Sequence, residues 1–126
     1  MTFDRLFNSV TLAAPGFRAV MDEHFRDNDE LLAHLLMADL LRYLGSHFTH
    51  SSAVAAVPPT AGELKAVLQI LDGAMENADA EVANAIAVSF IEGIESEPFF
   101  DGLSSLLGPH LRAELERQKA WRPSAR

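Results

Sequence analysis

Apolar residues recur every three or four positions along almost the whole chain, the period of helices that bury one face. Phe3, Leu6, Phe7 and Val10 share a face and predict a short helix over 3–10. Pro15 stands where a first helical turn tolerates proline, and Phe17, Val20, Met21, His24 and Phe25 form the stripe of a second helix. The polar run Asp27, Asn28, Asp29 ends that stripe and is expected to cap the next helix. From about Glu30 to Phe48 the pattern changes. Leu31, Leu32, Leu35, Leu36, Leu40, Leu41, Leu44 and Phe48 lie nearly all round the helix, which predicts a central element touched on several sides.

Thr49–Pro59 reads as a linker, because its Ser and Ala content and the Pro58–Pro59 pair stop helix continuation. Thr60 and Glu63 then have capping-box spacing ahead of Leu64, Val67, Leu68, Ile70, Leu71, Ala74 and Met75. Asn77 and Asp79 mark a tight turn, with Asp79 expected to cap a continuous helix running to about Glu95. The short turn predicts an antiparallel pair. Pro98 ends that unit. Phe99, Phe100, Leu103, Leu106 and Leu107 predict a short helix wedged on the core, and Gly108–Pro109 opens a last helix ending near Trp121. Alternating apolar and polar runs, the signature of strands, are scarce. The expected fold is all-α: one helical domain over 1–121, a compact bundle of about six helices or a related α–α superhelix, with a flexible tail at 122–126.

Charge sharpens this picture. The net charge is −8, and the segment from Glu63 to Asp101 alone holds nine acids against Lys65, also −8. Residues 1–62 carry −3 and residues 102–126 carry +3, so the last helix is mildly basic. An acidic field repels phosphate and attracts cations, which argues against nucleic-acid binding and for a partner with a basic surface. Cysteine is absent, which removes disulfides and thiolate metal sites. Asp4, Arg5 and Asn8 interrupt the first apolar stretch, and His34, Asp39 and Arg42 interrupt the longest one, so neither a secretory leader nor a membrane span is expected and the chain reads as cytoplasmic.

Chemical signatures are few. There is no cysteine nucleophile, glycine-flanked serine elbow or phosphate-cradling loop, so no enzyme activity and no cofactor is expected. His47 and His50 have the spacing of a metal pair, but no third ligand is placed by spacing and no metal is assigned. His24 in mid-stripe reads as a core histidine, and Ser89 as a mid-helix serine bonded back to its own helix. Two constellations stand out. Asp39, Arg42 and Ser46 form a polar strip on the apolar third helix, either a structural ion pair or a partner-facing strip. Asn84, Val88, Glu92 and Glu95 form a ridge opposite the apolar face of Val82, Ala83, Ile86, Phe90 and Ile94. That ridge is either a solvated face or an acidic docking surface bearing an exposed valine. Phe99, Phe100 and Trp121 are candidates for an exposed apolar patch; oligomeric state stays open.

The runs from His24 to Leu40, from Asn84 to Glu92 and from Leu106 to Leu115 resemble a family of small bacterial helical proteins of unknown function, similar to toxin-immunity proteins. The resemblance implies a non-enzymatic protein-binding module, an immunity or antitoxin-like protein that covers a basic surface. The alternative is a small-molecule sensor or carrier with a pocket near the central helix, using Asp39, Arg42 and Tyr43.

Overall fold

The computed structural model describes residues 2–49, 57–77 and 79–121. Every regular element among them is helical: α1 (Phe3–Ala13), α2 (Phe17–Asn28), α3 (Ala33–Thr49), α4 (Ala61–Asn77), α5 (Ala80–Ile86), α6 (Phe100–Ser104) and α7 (Pro109–Trp121). A π-helical turn (Ala87–Ile91) continues α5, and a 3₁₀ turn (Ile94–Ser96) follows it. The all-α expectation is met. Most of the expected linker and the 122–126 tail, like His50, lie outside the described residues.

One core joins these elements. α3 packs against α2, α4, α5 and the π turn, while α4 packs against α1, α3, α5 and α7, so the centre is shared by two helices rather than held by α3 alone. A row of rings crosses the first three helices: Phe3 on Phe7, Phe7 on Phe17, and Phe17 on Tyr43, with centroids 6.4, 6.4 and 5.5 Å apart. Such offset contacts add about 0.5–1.5 kcal/mol per pair beyond the area they bury. Leu36, Leu40 and Leu44 of α3, Leu64, Val67 and Leu71 of α4, and Ile86, Phe90 and Ile91 are all fully buried. Phe99 is also buried. Its ring lies against the backbone of Gly45, where an added Cβ would come within 2.3 Å of a ring carbon.

Local chemistry sets several boundaries. The capping box forms as expected: Thr60 N–H donates to Glu63 Oε1 at 2.9 Å, and Glu63 N–H to Thr60 Oγ1 at 3.1 Å. Four expectations change. Asp29 closes α2 instead of capping α3; it takes a left-handed conformation with φ 60°, and its N–H donates to Phe25 O at 2.9 Å. α3 therefore starts later, at Ala33. α3 is also not buried all round, since Leu32 and Leu35 stand 39% and 45% exposed where the first turn projects at the α2–α3 corner. Asp79 is in the N-cap position of α5, but its side chain makes no cap bond. Finally, the helix from Asp79 does not run unbroken to Glu95. It widens at the π turn, where Glu92 N–H reaches back five residues to Ala87 O at 3.0 Å.

Candidate functional site

The π turn and α7 enclose a groove of about 400 Å³, lined by Asn84, Ala87, Val88, Glu92, Glu95, Ser96, Arg117 and Gln118. The whole predicted ridge, Asn84, Val88, Glu92 and Glu95, lines one wall. Its spacing survives the widened turn, so all four side chains serve the same surface. Val88 is 44% exposed there, an apolar spot among polar neighbours.

α7 builds the opposite wall around Glu114. Arg117 grips that carboxylate through both ends, Nε to Oε1 at 3.2 Å and a terminal nitrogen to Oε2 at 2.5 Å. The Arg117 guanidinium, burial and the Gln118 amide all act on Glu114, and the favourable contacts outweigh desolvation, so its carboxyl is held below the usual range. Gln118 Nε2 donates to Glu114 Oε2 at 2.8 Å and to Ala87 O at 2.9 Å. The second bond fastens α7 to the π turn across the back of the groove. Arg117 is thus engaged with Glu114, while Glu92 projects exposed on the facing wall, so the groove presents a net acidic surface.

α7 itself is placed by a carboxylate of another helix. Asp72 of α4 accepts His110 N–H at 2.8 Å and Leu111 N–H at 2.9 Å, capping α7 from outside its own chain segment. Its other oxygen meets His110 Nδ1 at 3.1 Å, and His110 Nε2 lies 3.3 Å from Glu76. Gly108 leaves the room this needs, since a Cβ there would lie 2.6 Å from Asp72 Cγ. A contact 38 residues apart in sequence leaves no local signal beyond an acid on a helix and a Gly–Pro start.

The other expected strip is divided. Asp39 and Arg42 form an ion pair on the surface of α3. Ser46 faces inward, buried, with its hydroxyl donating to Tyr43 O at 2.5 Å. Tyr43 is fully buried, and its phenol oxygen has no hydrogen-bond partner among the described residues. Burial, reinforced by the negative charge of Glu63, pushes that phenol up to about 12. Asp39, Arg42, Ser46 and Tyr43 therefore share no common face.

Among the histidines, His47 Nδ1 is 2.8 Å from Pro59 O, and among the described residues no three His, Asp or Glu side chains are placed so that they could hold a metal ion. His24 is buried as expected, its Nε2 accepting the N–H of Leu32 at 3.0 Å. Ser89 departs from its expected back-bond: its Oγ lies 2.8 Å from His34 Nδ1, a strut between α3 and the π turn. That distance suits a nucleophile and its base, but His34 is exposed and no carboxylate orients it among the described residues.

Phe99 is buried and Phe100 half-buried, so neither forms an open apolar patch. No described helix is long and apolar enough to cross a membrane. No curated protein and no solved structure matches the chain significantly. Residues 7–122 match the model of a domain of unknown function, DUF7674, and the chain belongs to that family.

Proposed function

We propose that the protein is a non-enzymatic binding module whose groove between the π turn and α7 docks a partner protein with a basic surface. One observation carries the reading: Val88 stands exposed in a groove whose facing walls bear Glu92 and Glu95 on one side and an Arg117 already engaged by Glu114 on the other. A cation from the partner meets Glu92, and an apolar side chain covers Val88. The surrounding −8 segment steers the encounter, while affinity comes from the few side chains that become fully desolvated. The rigid back wall, with Gln118 tied to Ala87 and Glu114, limits the ordering cost of binding.

The role in which a small acidic module covers a basic surface is that of an immunity protein, acting in the bacterial cytoplasm on a toxin before its release. Co-expression with the product of each flanking gene, followed by pull-down and a growth assay, tests this. Retention of one product together with rescue of growth supports it. Failure to retain or neutralise any of them defeats the immunity role.

A further inference from the structure

A second surface lies at the corner between α2 and α3. Asn28 Nδ2 donates to His24 O at 2.8 Å, Asp29 turns left-handed, and His24 Nε2 holds the N–H of Leu32. The corner is therefore fixed by its own bonds, yet it presents Phe25, Leu32 and Leu35 to solvent. Beside them a cavity of about 260 Å³ opens between α1 and the corner, lined by Asp4, Phe7, Asn8, Met21, Phe25 and Leu31. Single exposed leucines need no explanation, but Phe25, Leu32 and Leu35 stand exposed together beside a cavity whose wall is mixed, Phe7, Met21, Phe25 and Leu31 with Asp4 and Asn8, and such a pairing of apolar anchor space with a carboxylate is the form of an anchor site.

The charge around it selects the occupant. Residues 22–30 hold five acids against Arg26, and Asp4 stands on the cavity wall. None of these acids is in an ion pair among the described residues. Anionic lipid would be repelled. A second copy of this chain offers no match, because the basic helix α7 turns its apolar residues Leu111 and Leu115 into its own core. We propose that the corner docks a cationic amphipathic helix of a partner protein. One bulky apolar side chain of that helix enters the cavity while its flanking lysines or arginines face Asp4, Asp27, Asp29 and Glu30. This surface is separate from the π-turn groove and does not rest on its assignment.

The probe is a fluorescein-labelled synthetic helix of leucine and lysine in amphipathic register, with a leucine–glutamate helix of the same register as control, read by anisotropy. Wild type is expected to bind the cationic helix and not the anionic one. Leu35→Lys, at an exposed position, is expected to weaken binding about tenfold, and Glu92→Lys, which blocks the groove, is expected to leave the Leu35-dependent binding in place. Circular dichroism confirms that both variants keep their helices. Equal binding of the two peptides, or a loss caused by Glu92→Lys but not by Leu35→Lys, overturns the proposal. So does sedimentation of the wild type, but not Leu35→Lys, with phosphatidylcholine vesicles, which would assign the corner to a lipid surface.

Discussion

Replacing Asp72 with alanine should loosen α7 and with it one whole wall of the groove. The substitution removes the acceptor of two backbone N–H groups, His110 and Leu111, and the partner of His110 Nδ1. A lost cap costs about 0.5–2 kcal/mol, and a carboxylate at a helix N-terminus adds about 0.3–1 kcal/mol through the helix dipole. Asp72 is mostly buried, with 15% of its side chain exposed, so water recovers little of this; the expected loss is about 2–3 kcal/mol. For a chain of this length that lowers Tm by roughly 6–12 °C. Asp72→Asn keeps an acceptor oxygen and gives up the charge, so it should lose about half as much. Gly108→Ala offers an independent route to the same contact, because the added Cβ displaces an intact carboxylate. The two changes should therefore be non-additive in a double-mutant cycle. Urea denaturation followed by circular dichroism measures the wild type, the three single variants and the double variant. A loss under about 0.5 kcal/mol for Asp72→Ala, or full additivity with Gly108→Ala, would refute the clamp.

Tyr43→Phe removes a buried hydroxyl with no partner among the described residues and should be neutral or stabilising by about 1 kcal/mol in denaturant titration. Because the folded phenol is raised to about 12, the wild type should lose stability as pH climbs from about 10 through 12, and the phenylalanine variant should not show that tyrosine-specific loss. Glu114 is shifted the other way, held low chiefly by Arg117. Its stabilisation is present above the ordinary carboxylate range and disappears as pH falls through the folded value, so Glu114→Gln should flatten part of the acid limb of a thermal-melt profile. Gly45→Ala gains helix propensity but drives a Cβ into the Phe99 ring, and a net destabilisation of about 1–3 kcal/mol is expected by calorimetry.

Helical periodicity was enough to place most of the helices. It also placed the ridge of Asn84, Val88, Glu92 and Glu95 on one surface, because spacings of three and four hold that surface together even through the widened turn. It did not show the π turn itself, since nothing in Ala87–Ile91 distinguishes i→i+5 from i→i+4 bonding until Gln118 is seen to hold the Ala87 carbonyl. Contacts distant in sequence were similarly silent. Asp72 with α7, His34 with Ser89 and His24 with Leu32 depend on how helices are placed, and each residue read alone has a more ordinary use. Ser46 shows the converse limit: three polar residues at helical spacing need not share an environment when the helix is wrapped on several sides. The leucine-rich pattern predicts burial for Leu32 and Leu35 as well, yet the chain leaves both exposed at the corner, just before α3 and in its first turn.

The groove assignment is tested most directly by the affinity of a captured basic partner for wild type and for Glu92→Lys, measured calorimetrically at low and high salt. Glu92 is exposed and in no ion pair among the described residues, so its reversal leaves the fold in place. The account predicts binding weakened about tenfold at low salt, with the difference shrinking as salt rises. Equal affinities at both salt concentrations would contradict it.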